Sequence, residues 1–126
     1  MHIQHVPAAV YPPAGNYVHG VSVPASAKLL FISGTMGLTP EGGIPESFEK
    51  QCELVWQHVF AILADAGMSR QNLVKITCFL GDAANRWKNM EIRDRMLGDH
   101  RIAVTVVEAT LLNNRWFLEM EAVAAG

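Results

Sequence analysis

The sequence predicts an α+β domain of two layers, a mixed β-sheet carrying two helices on one face. Three features point there: apolar strand-type runs near both ends, two helix-type segments lying between strands, and Pro or Gly clusters that punctuate the changes of period. The resulting order is strands, helix, strand, helix, two strands. Each helix then sits in a crossover connection, and crossovers on one side of a sheet place both helices on the same face.

The first run, Tyr17 to Val23, follows the turn-forming Pro12-Pro13-Ala14-Gly15-Asn16 and alternates apolar residues. Pro24-Ala25-Ser26 then turns the chain into Leu29-Leu30-Phe31-Ile32-Ser33-Gly34, a compact hydrophobic strand, and the two runs together read as a β meander. Thr39-Pro40-Glu41-Gly42-Gly43 is dense in turn formers and reads as an exposed loop. From Ser47 onward Phe48, Cys52, Val55, Val59, Ile62, Leu63 and Ala66 recur at intervals of three and four, the stripe of a helix facing a core. Gly67 is its stop. Leu73 to Leu80 is β-rich and too short for a typical helix, so it reads as a buried strand. Asp82 is placed to cap a second helix with Trp87, Met90 and Leu97 on one side and Gly98 at its end. Ala103 to Ala109 and Trp116 to Ala124 complete the sheet, joined through Leu112-Asn113-Asn114.

Composition narrows the function. The 126 residues, 50% hydrophobic and without internal repeats, fit one domain spanning 1–126 that buries roughly two-thirds of its unfolded-chain surface. Ten Lys plus Arg against twelve Asp plus Glu leave a formal charge of -2, without the basic excess that phosphate neutralisation requires, so nucleic acid is not expected as the main partner. The longest apolar stretches, such as Val59 to Ala64, fall far short of the roughly 18 to 20 residues that cross a bilayer. The N-terminus lacks a basic region followed by an apolar one, and a soluble cytoplasmic protein without membrane partners is expected. Cys52 and Cys78 read as reduced core residues.

Candidate chemistry is sparse. None of His2, His5, His19, His58 and His100 pairs at His-x-x-x-His spacing and no Cys-x-x-Cys occurs, so no metal site is expected. Gly34, Gly37, Gly42 and Gly43 do not build a phosphate loop. The informative residues are Glu119 and Glu121. In Trp116-Phe117-Leu118-Glu119-Met120-Glu121-Ala122-Val123-Ala124 the period of two puts both carboxylates opposite Trp116, Leu118 and Met120. Such a face is either solvated or lines a cleft, and composition does not choose between these.

Several segments in combination resemble the RidA/YjgF family along nearly the whole chain. Gly15-Asn16-Tyr17-Val18-His19-Gly20 is similar to the family's Gly-Pro-Tyr-x-Gln-Gly/Ala, and Leu30-Phe31-Ile32-Ser33-Gly34 to its Leu-Phe-Val-Ser-Gly. Gln51 and the helix ending Ile62-Leu63-Ala64-Asp65-Ala66-Gly67 match its first helix. Val74-Lys75-Ile76-Thr77 resembles Val-Lys-Val-Thr, and Glu119-Met120-Glu121-Ala122-Val123-Ala124 resembles Glu-Ile-Glu-Ala-Ile-Ala. The resemblance implies a chorismate mutase-like fold assembled as a homotrimer, with small-molecule clefts between subunits. It also implies cofactor-free hydrolysis of enamine or imine acids to 2-keto acids and ammonia. Carried over by motif, Tyr17 is the family's tyrosine, Asn89 its second-helix asparagine, Glu119 its water-orienting glutamate, and Val106 the residue whose backbone contacts substrate.

The chain departs from the pattern at the family's substrate-gripping arginine. Arg101-Ile102-Ala103-Val104-Thr105 stands where the family reads Arg-Pro-Ala-Arg-Ser/Thr, so Val104 occupies that position. A valine cannot form the bidentate pair with a carboxylate, and recognition of 2-imino acids is expected to weaken. His19 and Arg115 are candidates to replace the cation, while Trp87 and Trp116 read as core or interface packing. The functional readings are a divergent hydrolase of imines or enamines, a trimeric ligand-binding or regulatory protein without turnover, and an RNA-directed role suggested by family names and opposed by the charge.

Overall fold

The computed structural model describes residues 2–126. Along them run β1 (Ile3–His5), β2 (Gly20–Ser22), β3 (Leu29–Met36), α1 (Phe48–Asp65), β4 (Leu73–Leu80), α2 (Arg86–Leu97), β5 (Ala103–Glu108) and β6 (Leu118–Ala125). Four of the strands form one sheet in the order β3, β6, β4, β5. β6 inserts antiparallel between β3 and β4, and β5 runs parallel to β4 on its far side, so the sheet is mixed.

Alternation decides which face is covered. Ile76, Cys78 and Leu80 of β4 and Leu118, Met120, Ala122 and Ala124 of β6 are buried against Cys52, Val55, Trp56, Val59 and Leu63 of α1 and Ile92 and Leu97 of α2, forming one core. At roughly 1.5–3 kcal/mol for each fully buried large side chain, this layer supplies the main stabilisation. The other sheet face is bare, with Phe31 73% exposed beside the partly or fully exposed Lys75, Thr77 and Glu121.

Helix α1 follows its sequence stripe closely. Ser47 Oγ accepts from Lys50 N at 3.1 Å, capping the start, and Gly67 takes the left-handed φ of 72° just past the end. Its side chain Gln51 is wholly buried and joins three segments. Nε2 donates to Pro45 O at 2.7 Å and Arg115 O at 3.0 Å, and Oε1 accepts from Phe117 N at 2.8 Å. Gly37 lies against the Gln51 backbone, where any Cβ would overlap main-chain atoms.

Two expectations are corrected. The run from Tyr17 to Val23 does not pair with β3 as a meander. Only Gly20–Ser22 is strand, and it pairs with β1, while Val18 forms a parallel bridge to Ala103 at the β5 edge. Alternation identifies a strand without naming its partner. β3 instead takes β6, whose eight residues offer a longer ladder, and the turn closed by Ala27 N donating to Pro24 O at 3.0 Å leads into it. The second correction concerns α2. Asp82 caps a single 3₁₀ turn, Ala83–Asn85, and the α-helix starts after it. Its buried residues are Asn89, Ile92, Arg93 and Leu97. Trp87 is 63% exposed with the Arg86 guanidinium 4.9 Å above its ring, because at about 3.6 residues per turn it falls off the line through Asn89, Arg93 and Leu97. Among the described residues no helix is long and apolar enough to cross a membrane.

Candidate functional site

Glu119 stands on the bare sheet face, level with Met36 of β3 and Phe79 of β4. Between Ile32 and Thr35 the β3–β6 register slips, so Ser33-Gly34 bulges from the ladder, and Thr35 Oγ1 donates to Ser33 O at 2.8 Å across it. Bulges re-aim side chains and commonly border active sites. Here the bulge presents Gly34 to Glu119. A Cβ at Gly34 would overlap the Glu119 carboxylate, so a larger residue there would make this acid swing off the strand backbone on which it now rests.

Glu121 shares the face with different neighbours. It is exposed in a depression of about 210 Å³ with Phe31, Ser33, Lys75, Thr77 and Val123. Lys75 Nζ donates to Thr105 Oγ1 at 2.8 Å, and desolvation pulls its pKa below the ordinary lysine value while Glu121 pulls it back up. The two carboxylates that the sequence could not separate are thus distinct: one lies over a glycine, the other acts on a lysine.

A second group gathers where β5 meets α2. The Val18–Ala103 bridge holds Tyr17 and His19 at the β5 edge, and Asn16 Nδ2 donates to Asp94 Oδ2 at 3.2 Å, tying the same loop to α2. The Tyr17 hydroxyl accepts from Ala14 N at 3.3 Å. His19 meets Tyr11 and Tyr17 edge to face at centroid distances of 5.4 and 6.3 Å, and both its ring nitrogens are buried without a hydrogen-bond partner among the described residues. Val104 sits level with Ile76 and packs against the core. Val106 sits level with Cys78 and is 36% exposed. Asn89 is buried, its Oδ1 accepting from Cys52 Sγ at 3.6 Å and Cys78 Sγ at 3.7 Å. Burial pushes both of these free thiols up to about 12, so they are neutral donors.

One chain does not join these groups. Glu119 alternates with Leu118 and Met120 and faces away from the helices, whereas Asn89 and the residues level with Ile76 and Cys78 lie on the helix side. Arg115 belongs to neither group. It is exposed at the entry to β6 beside Ile44, Pro45, Glu46 and Phe117, at the end of the sheet away from the Val18–Ala103 bridge. Trp116 is half-buried nearby. Among the described residues no three His, Cys, Asp or Glu side chains are placed to hold a metal ion. Sequence reasoning missed Arg93, which follows Asn89 by one helical turn and is only 5% exposed.

The fold is that of the Rid proteins. YyfB of Yersinia pestis superposes with a TM-score of 0.85 over 99% of this chain and 98% of that one, and at 20% identity the likeness concerns the fold alone. A family model described as endoribonuclease L-PSP matches residues 8–126, and the chain belongs to that family. A RutC family protein of Pyrococcus abyssi is 30% identical over 114 residues, 89% of this chain and 87% of the relative. TdcF of Escherichia coli, whose name marks it as a candidate reactive intermediate deaminase, is 29% identical over 125 residues, 96% of this chain and 92% of its own. The structure of E. coli TdcF with bound serine superposes with a TM-score of 0.74 at 28% identity, over 98% of this chain and 95% of that one.

Proposed function

We propose that this protein hydrolyses small imines or enamines in clefts formed between copies of the chain, water adding across the C=N bond to give a carbonyl compound and ammonia. The observation that carries the reading is Glu119 lying over the Gly34 bulge on an uncovered sheet face. A half-buried carboxylate there accepts a hydrogen bond from water and takes its proton as the C–O bond forms, and the nitrogen leaves with the protons it gains. Tyr17, Asn89 and Val106 complete the site from a neighbouring copy, because a single chain holds them on the other side of the sheet from Glu119. The name of TdcF supports the chemistry, and the serine bound to TdcF supports a small polar ligand. The endoribonuclease label of the family is not matched by the formal charge of -2.

Two measurements test this. Light scattering is expected to give about three times 13.8 kDa, a homotrimer whose clefts lie between neighbours; a stable monomer at micromolar concentration rules the shared cleft out. With imines generated in situ by an amino-acid oxidase, purified protein is expected to accelerate ammonia and ketone or keto-acid release above the spontaneous rate. A second reading, ligand binding without turnover, draws on Val104 in place of the family arginine. It is supported if the trimer binds such compounds without accelerating their breakdown.

A further inference from the structure

Arg93 is the charged residue that the core does not explain. It projects from the packed face of α2, one turn beyond Asn89, and is only 5% exposed. Its Nε is buried with no hydrogen-bond partner among the described residues. Among the described residues its one ion contact is Nε to Asp94 Oδ1 at 3.8 Å, long for an ion pair, and Asp94 also accepts from Asn16. Burying a guanidinium with so little compensation destabilises a fold.

Its surroundings are those of the second residue group. An ideal Cβ at Gly15 would lie 3.9 Å from the Arg93 terminal nitrogen Nη2. Gly15 thus lies within van der Waals distance of the guanidinium, which places Arg93 against the loop that carries Tyr17. Desolvation lowers the pKa of Arg93 from its ordinary value, and Asp94, Cys78 and Tyr17 are the groups whose charges counter it. Cys78 is level with Val106 on the neighbouring strand. Burial pushes the Cys78 thiol up to about 12, so it is neutral at pH 7 and does not discharge the arginine.

We propose that Arg93 is the anion-binding residue of this cleft, gripping the carboxylate of a 2-imino or 2-keto acid between Tyr17 and Val106 and so taking over from helix α2 the role that Val104 on β5 cannot fill. The inference rests on the inter-subunit cleft proposed above. A guanidinium offers parallel N–H donors in a planar fork matched to a carboxylate, and a partly dehydrated one gains more from such a pair than an exposed cation does. His19 and Arg115 are less suited. The first is enclosed by two tyrosines, and the second stands in solvent at the other end of the sheet.

The test compares pyruvate with its neutral isostere pyruvamide by titration calorimetry on the intact protein, alongside thermal unfolding and light scattering. Wild type is expected to bind pyruvate about tenfold or more tightly than pyruvamide. In Arg93→Met the preference should vanish, pyruvamide binding should persist, and the unfolding temperature should hold or rise, because an uncompensated buried charge has gone. Arg93→Lys, which keeps the charge and loses the fork, should retain only part of the preference. If wild type binds neither compound, the cleft reading fails and takes this one with it. If wild type prefers pyruvate and Arg93→Met keeps that preference, the cleft stands and Arg93 is not its anion site. If either variant unfolds at lower temperature or falls apart into monomers, Arg93 is a structural or subunit-interface partner and the proposal is overturned.

Discussion

Glu119→Gln is expected to reduce imine hydrolysis by about 100-fold or more, the usual reach of a positioned general base, while leaving the protein folded and assembled. The amide keeps the size of the side chain over Gly34 and loses the capacity to take a proton. Glu121→Gln is the internal control on the same strand face. Its carboxylate acts on Lys75 and not on a glycine bulge, so turnover should stay within about threefold of wild type and the effect should fall on stability, within about 0.5 kcal/mol for a solvated position. Steady-state rates and thermal unfolding of both variants read this out. Equal, small losses in the two would make Glu119 a spectator on a solvated face.

Gln51→Leu is expected to be the most damaging single change to stability, at about 3 kcal/mol or more. Leucine nearly preserves volume and deletes every polar contact. The carbonyls of Pro45 and Arg115 and the amide of Phe117 are then left in a site where Gln51 itself is wholly buried, and each unsatisfied group costs about 1–3 kcal/mol. For a chain of this size the unfolding temperature should fall by roughly 10 °C or more. A fall of only a degree or two would mean that water replaces the amide and that the three segments hold together without it. Because Arg115 and Phe117 lead directly into β6, loosening this clamp should also blunt turnover through Glu119.

Much of this fold was legible because its elements are amphipathic. The stripe of α1 and the alternation of β4 and β6 are the direct signatures of one covered face, and Ser47 and Gly67 mark the helix ends through capping chemistry. What was not legible depends on partners distant in sequence. β2 joins the three-residue β1, and β3 pairs with β6 from the far end of the chain, pairings that local alternation does not encode. α2 was misphased because the face it buries contains Asn89 and Arg93, which periodicity assigns to solvent. The same limit applies to the site. Strand alternation found Glu119, but only the bulge at Ser33-Gly34 separates it from Glu121, and a bulge arises from cross-strand register. Arg93 lies among Arg86, Arg95 and Arg101, and nothing local distinguishes the buried one.

Asn89 is shared by two thiols, and that arrangement turns the core into a clock for its own opening. Thiolate is the species that alkylating reagents capture, and with both cysteines held near 12 only about one thiol in 10⁵ is ionised at pH 7. Once α1 and α2 part from the sheet, each sulfur regains an ordinary acidity of about 8.5 and its thiolate fraction climbs by roughly a thousandfold or more. Labelling of Cys52 and Cys78 therefore counts excursions out of the native layer and not collisions with it. The protein carries, without any added probe, a chemical timer for how often its helical layer lifts.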